Sequence, residues 1–491
     1  MNGKIYLGKC PQTTKQKGTQ LMKKIISVII TITMLAALLA TMAIGASADA
    51  PVECKDWEEF AQKANLSYGE GNFKLMSDSV CETSVEGFFG TFDGNGHTIT
   101  VKNTMFMDVG GGAIITNFTA TNTEAIDVCP IILAINGSFE DAPVLLENIT
   151  NNVNVDASGN TNRVAGIVGS TDNENHITFK NCVNNGNIIS NEQAGGIIGN
   201  ADLASGYLYA NFIDCVNNGD ITTSIHYAAG IVGNVNQHCD FVMVRCINTG
   251  DITAREIAGG IISRILGGKA NVIMYKCAST GNVTTTERAG EKYGVAGLVS
   301  RTTGTSTISI YDSFVSGTFT PATVVDETTG EVTATSGADA VCQYASTGLI
   351  MTENVKILHN SVVAGSTAYT ASETATGFEY ADQVAIDAGV AAIMADFGKA
   401  YDVPGTTAPE TEETTEDAGN DTTVDDGADT DAPSNDTTAK VDTTPATAPA
   451  TTPAPTVTTA AEEGGCGSSI SLAIVAVAAV GAVAIARKKE D

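Results

Sequence analysis

Ala165-Gly166-Ile167-Val168-Gly169 is the stretch that decides the architecture, because it returns as Gly195-Gly196-Ile197-Ile198-Gly199, Ala229-Gly230-Ile231-Val232-Gly233, Gly259-Gly260-Ile261-Ile262-Ser263 and Ala296-Gly297-Leu298-Val299-Ser300. Self-similarity at about 30 residues means a solenoid, in which each unit buries its neighbour's face. Aligning the copies outward gives columns. The first strand supplies Ile167, Ile197, Ile231, Ile261 and Leu298. The second supplies Ile177, Ala210, Phe241, Val272 and Ile308, then two residues later Phe179, Phe212, Met243, Met274 and Ile310. Apolar columns at period two face a core. The third strand offers Ile188, Ile221, Ile252, Val283 and Phe319. Three short strands per unit fit one coil of a right-handed parallel β-helix, so the fold class is all-β with short helical caps.

Between the second and third strands the periodicity breaks. Asn181, Asp214, Arg245, Lys276 and Asp312 are polar where the period-two pattern calls for a core residue, yet Cys182, Cys215, Cys246 and Cys277 follow at once. The strand must change phase there, as at a bend or bulge. The polar column then faces outward, which makes Asp214, Arg245 and Lys276 the candidate surface-contact residues. Next, Asn184, Asn217, Asn248 and Ser279 recur, each two residues before Gly186, Gly219, Gly250 or Gly281. Stacked Asn amides can hydrogen-bond along the helix axis, and Gly supplies the positive φ of tight corners. Asn187, Asp220, Asp251 and Asn282 come directly after the glycines. Adjacent carboxylates there could share a calcium ion, but only Asp220 and Asp251 are charged and no further oxygen ligand recurs, so a solvated turn column is the better reading. No other cofactor is implied.

The Gly-aliphatic-aliphatic-Gly strand followed by Asn-Cys-x-Asn-x-Gly resembles the GLUG repeat of bacterial secreted and surface proteins, over roughly Asn162 to Thr320. Upstream, the run from Phe89 to Ile99 resembles the coil that precedes such repeats, with looser matches at Met105-Phe106-Met107 and Ile114 to Phe118. The resemblance implies an extracellular parallel β-helix, often adhesin-like, and carries over no catalytic residues. The fifth repeat departs from it at Ser300, Ser313 and an insertion around Glu287 to Tyr293, where fraying or a surface loop is expected.

The spacing of the cysteines speaks against pairing. Cys215 follows Cys182 by 33 residues, and Cys246 and Cys277 follow at 31 each, so the four occupy one column. Neighbouring parallel strands lie about 4.8 Å apart with side chains pointing the same way, which does not suit a disulfide or a tetrahedral zinc site. Buried free thiols are expected; Cys54 and Cys81 could pair near the N-terminal cap.

The ends of the sequence speak to location. Met22-Lys23-Lys24, the apolar run Ile25 to Ile44 and Ala46-Ser47-Ala48 read as a signal peptide cleaved before Asp49, with residues 1–21 an over-extended start. From 405 to 467, Thr, Pro, Ala, Asp and Glu replace every aromatic residue. Such a stretch cannot bury a core and reads as a disordered linker reaching about 45 Å. Ser468 to Ala486 is uncharged and followed by Arg487-Lys488-Lys489; as a helix it spans about 28 Å, enough to cross a bilayer with the basic tail 487–491 inside. The domain reading is therefore 1–48 extension and signal, 49–161 cap and first coils, 162–320 repeats, 321–404 last coils and cap, 405–467 linker and 468–486 transmembrane helix. A net charge of −30 excludes nucleic acid as a partner.

Trp57 and Phe60 lie three apart, a helix face suited to sealing the first coil; Val384, Val390, Ile393, Met394 and Phe397 suggest a second cap, while 321–381 shows no clear register. No nucleophile elbow, His-Glu-x-x-His or phosphate loop is present, and His97, His176, His226 and His238 fall at unrelated repeat positions. The sequence thus points to a non-catalytic, adhesin-like surface scaffold that binds glycans or proteins of a host matrix or neighbouring cell, anchored in the membrane. A surface polysaccharide lyase or glycoside hydrolase is the alternative, and a passive envelope spacer the third.

Overall fold

The computed structural model describes residues 50–404, apart from 160–163, 202–205, 237, 267, 288–289, 326–328, 330–331, 335, 346–348 and 359–376. The proposed signal peptide, the acidic linker, the apolar segment 468–486, Cys10 and Cys466 lie outside the described residues. No helix among the described residues is long and apolar enough to cross a membrane.

The chain is an all-β solenoid of parallel strands with two helices among the described residues, Trp57–Leu66 (α1) and Gln383–Ala395 (α2). The alignment of repeats is the register of the sheet. Ile177 pairs with Ala210, then come Phe241, Val272, Ile308 and Ile350, one per coil. Likewise Ile188 pairs with Ile221, followed by Ile252, Val283 and Phe319. All these interior positions are buried, and all but Ile350 belong to one continuous cluster that begins at Cys54 and ends at Ile357.

Each repeat coil runs over four faces rather than the expected three, the third coil joining one of them through single bridges at Val232 and Val235. The segment Val164–Ala165 and the segment Val168–Asp172 belong to different sheets, as do Gln193–Gly195 and Ile198–Ala201 in the next coil. The small-Gly-aliphatic-aliphatic-Gly motif is a corner, and its residues are small because the two arms fold close together. A Cβ on Gly199 would lie 2.5 Å from the Val164 oxygen, and one on Gly233 would lie 2.4 Å from the Gly199 oxygen.

The phase change read at Asn181 is a column of left-handed residues. Asn117, Asn148, Asn181, Asp214, Arg245, Lys276, Asp312 and Asn354 all have φ between 49° and 60°. One residue in this conformation turns the strand so that Cys182, Cys215, Cys246 and Cys277 re-enter the interior. The turn glycines serve another purpose than the expected positive φ. Gly186, Gly219, Gly250 and Gly281 each press on the previous coil, where a Cβ would lie 1.9–2.0 Å from a carbonyl oxygen. Of this column only Gly317, in the fifth repeat, has positive φ.

Polar ladders bind the coils along the axis. Asn151 Nδ2 donates to Asn184 Oδ1 at 2.8 Å, Asn184 to Asn217 at 2.7 Å and Asn217 to Asn248 at 2.8 Å, all fully buried. The ladder stops at Ser279, whose hydroxyl has no partner among the described residues. Asn187, Asp220, Asp251 and Asn282 form a second ladder: each side-chain oxygen accepts the backbone N–H one coil on, at 2.8–3.0 Å. These oxygens hold turns together, and among the described residues no group of three or more His, Cys, Asp or Glu is placed to hold a metal.

All nine described cysteines are buried and unpaired, Cys54 and Cys81 included. The thiols of Cys182, Cys215, Cys246 and Cys277 point at carbonyl oxygens of the preceding coil at 3.4–3.6 Å. Burial raises the pKa of Cys182 and Cys246, which keeps them as thiols.

The ends close differently. Helix α1, capped by Asp56, lays Trp57 and Phe60 on Phe73, Phe88, Phe92 and Phe106 with ring centroids 4.3–6.0 Å apart, and so seals the first coil as the sequence suggested. The stretch 321–381 holds an antiparallel hairpin, Thr323–Val325 with Val332–Ala334, and then a sixth coil: Ser336–Asp339, Cys342–Ala345, Leu349–Glu353 and Val355–Leu358 each extend a sheet of the fifth. Where fraying or a surface loop was expected at the fifth repeat, the described pairing shifts register between Gly290 and Gly294. Helix α2 is not an end cap. It lies on the flank, where Ile393, Val390 and Phe397 cover an outward strip made by Val183, Val216, Ile247, Ala278 and Phe314.

Candidate functional site

The three residues singled out from the sequence do stack in one column, but Asp214 and Arg245 are covered and only Lys276 is part exposed. Asp214 and Arg245 are each 2% exposed. Arg245 grips Asp214 through two nitrogens, Nε to Oδ1 and Nη2 to Oδ2. The segment following α2 then closes over them as a strap: Gly398 N donates to Asp214 Oδ2 at 2.7 Å, and Arg245 Nη1 donates to the Lys399 oxygen at 3.2 Å. The Tyr401 ring stacks 5.1 Å from the guanidinium, and burial pushes the Tyr401 hydroxyl up to about 12 against the opposing pull of Arg245. Lys276 Nζ donates to Asp396 Oδ2 at 2.8 Å, which with Lys399 lowers the Asp396 pKa to about 2. The column faces outward as read, but it is covered, because the strap comes from 120 to 184 residues away in sequence, beyond the reach of repeat periodicity. Asp214 thus accepts from both Arg245 and the backbone of Gly398.

A second place carries polar chemistry that the repeat alignment passed over. At the corner of each coil the outer faces of the two arms meet in a crease that their own side chains fill, Asn200 and Asn234 being 0% exposed, Arg264 7% and Tyr227 8%. One wall carries Gln193 and Tyr227, neighbours in register, followed by Ile257. The other carries Asn200, Asn234, Arg264 and Arg301, one per coil. Asn234 Nδ2 donates to Asn200 Oδ1 at 2.6 Å, and Arg264 Nε donates to Asn234 Oδ1 at 2.8 Å. The same guanidinium donates to the Tyr227 hydroxyl and to Asn236 Oδ1, both at 2.5 Å, and lies 4.0 Å from the Tyr227 ring centre. Burial raises the Tyr227 pKa although Arg264 opposes it, so the hydroxyl stays protonated. Arg301 stands over Tyr344 at 5.8 Å.

Not every polar group in the crease is satisfied. Gln193 Oε1, Asn200 Nδ2, Arg301 Nε and His226 Nδ1 are buried atoms with no hydrogen-bond partner among the described residues. Gln193 and Asn200 are 6% and 0% exposed. Leaving such a group unpaired costs about 1–3 kcal/mol. The sequence signal was there: the column Asn200, Asn234, Arg264, Arg301 sits at a fixed distance after each corner motif.

His176 and Tyr209, and Tyr207 and His238, also stack on the outside of the long sheet, at 4.3 and 4.7 Å. Their faces are spent on one another, which makes them a packing ladder. A broad depression of about 770 Å³ beside α1, lined by Lys55, Asp56, Glu58, Glu59 and Gln62 among others, is wide open and brings no reactive group together.

No family model matches the chain, and no curated protein matches it. Among solved structures, one from Bacteroides ovatus, described as "a putative immunoglobulin A1 protease", is 15% identical, covers 71% of this chain and 89% of its own, and has a TM-score of 0.35.

Proposed function

We propose that this chain is a bacterial cell-surface protein of the GLUG-repeat type, a right-handed β-helix that works as a non-catalytic, adhesin-like binding scaffold. The signal-like N-terminus, the acidic linker and the apolar C-terminal segment support an outward-facing protein held by a single transmembrane helix. The observation that carries the binding reading is the outer crease, where buried amide and guanidinium groups recur in register along the solenoid with hydrogen-bonding capacity unused. Function then resides in the outer face of a rigid frame, where recognition concentrates.

The enzyme alternative needs a pair of carboxylates or a calcium ion on one outward face. Its best-placed carboxylate, Asp214, is consumed by Arg245 and Gly398, and Asp220 and Asp251 accept backbone N–H groups. A screen of the full chain against glycans and matrix proteins, run beside a polysaccharide-degradation assay, tests the reading: binding without turnover is expected, and turnover of any glycan overturns it. Anchoring is tested on intact cells, where protease added outside should cut within 405–467 and release the repeats.

A further inference from the structure

We propose that the turn edge of the first coils, where Tyr68, Phe89 and Phe139 stand exposed among carboxylates, docks an extended basic segment of a partner protein. The inference rests on the outward-facing scaffold reading above and names a partner for one edge of it.

The edge is a column of turns that lead into the long sheet. Phe89 N donates to the Gly69 oxygen at 3.0 Å, Ile114 N to Gly90 at 2.9 Å, Gly111 N to Gly137 at 3.0 Å and Ser138 N to Glu174 at 3.0 Å. The turns 66–71, 86–90, 108–113, 137–142 and 172–176 therefore stack in axial order, and four steps of about 4.8 Å cover about 19 Å. Tyr68 is 87% exposed, Phe139 57% and Phe89 48%. The third turn is Gly110-Gly111-Gly112, and the Phe89 ring lies against it: a Cβ on Gly110 would meet ring carbon Cε1 at 2.1 Å. That ring is spread on bare backbone with its outer side open. A run of exposed rings along one edge marks an interaction surface.

The charges around the rings select the partner. The five turns carry Glu70, Glu86, Asp108, Glu140, Asp141, Asp172 and Glu174 and neither Lys nor Arg. Glu70, Glu86, Glu140, Asp141 and Glu174 are exposed. A Lys or Arg side chain answers both features, since its cation sits over a ring face and its N–H groups bond carboxylates. Side chains on one face of an extended strand recur at about 6.7 Å, so the edge accommodates about three of them. A neutral glycan would stack on the rings but leave the row of like charges uncompensated, and an anionic surface would be repelled. The rings and carboxylates already face solvent, so docking needs no rearrangement of the coils.

The test is equilibrium binding of the purified full chain to three probes: a decapeptide alternating Arg and Ser, the same peptide with Glu for Arg, and cellohexaose. The Arg peptide should bind best and weaken with added salt. Because so acidic a chain can attract a cation anywhere, the place of binding decides. Hydroxyl-radical footprinting of the unmodified chain should show Tyr68, Phe89 and Phe139 protected by the Arg peptide, and the double variant Phe89→Ser, Phe139→Ser, which alters only exposed rings, should bind it about tenfold more weakly. Absence of protection at all three rings, unchanged affinity in the double variant, or tighter binding of the Glu peptide or of cellohexaose overturns the proposal and leaves the scaffold reading standing. Shortening of cellohexaose overturns the scaffold reading itself, and the proposal with it.

Discussion

Asn117, Asn148 and Asn181 share a column and a left-handed backbone with Asp214, Arg245 and Lys276, yet the two halves are stabilised in opposite ways. In the first half the amides bond along the axis, Asn148 to Asn117 at 2.9 Å and Asn181 to Asn148 at 2.8 Å, and Asn148 and Asn181 stay exposed. Asn tolerates this conformation with little strain. In the second half Asp214 tolerates left-handed φ as Asn does, but Arg245 and Lys276 do so poorly, and what offsets that is a distant segment, the strap, which buries the Asp214–Arg245 pair and binds Lys276. The repeating backbone dictates the conformation of a column; a change of side-chain type within the column marks where something non-local arrives.

The largest effect should come from Arg245→Ala. It leaves the Asp214 carboxylate buried without its partner, which costs about 3–5 kcal/mol and should appear in urea titration as a lower midpoint. Replacing Asp214 and Arg245 together by Asn converts the strapped half into the open kind, and should lose clearly less than the single change. A double variant as unstable as the single would mean that the strap, rather than the ion pair, dominates.

Next is the contrast between two amide ladders. Asn217→Ala strands a buried donor on Asn184 and a buried acceptor on Asn248, so about 2–4 kcal/mol is expected. Asn148→Ala breaks equivalent bonds in water and mainly adds left-handed strain, about 1 kcal/mol. Equal losses in denaturation would sink the claim that burial separates the two.

Cys215→Ser tests the thiol column beside them. A hydroxyl among apolar neighbours should cost about 1–3 kcal/mol, and Ala less. Thiol titration of the unfolded, unreduced chain should find Cys182, Cys215, Cys246 and Cys277 free; peptide mapping that pairs them would contradict the register.

The smallest effect concerns acid. Asp396 has its pKa lowered to about 2 from 3.8 by Lys276 and Lys399. A depressed carboxylate contributes stability that is present above its unfolded value and lost as pH falls through the folded one. Amide exchange in 383–399 should therefore accelerate between about pH 4 and pH 2, while the Asn ladder stays protected.

Periodicity made the interior legible. The columns through Ile177, Phe179 and Ile188 and the Asn ladder emerge in register because each depends only on the neighbouring coil. The corner was misread as one strand, since Gly166 to Gly169 gives the composition of a turn and a strand alike. Asp214, Arg245 and Lys276 were placed on the outside correctly, but Asp214 and Arg245 were taken as exposed wrongly, because α2 and its strap follow more than 100 residues later. The crease escaped for a different reason: its walls come from residues flanking the corner, and their convergence needs the corner's angle.

The strap also fixes where the chain leaves the solenoid. Lys399 and Tyr401 sit on Arg245, in the third repeat, so Pro404 emerges from the flank and not from the last coil. Tension on whatever follows Pro404 is therefore delivered sideways. Such tension is expected to peel Tyr401, Lys399 and then Asp396 away before the coils part. Force spectroscopy should then show a first short extension of about twenty residues, from 383 to 404, ahead of the main rupture.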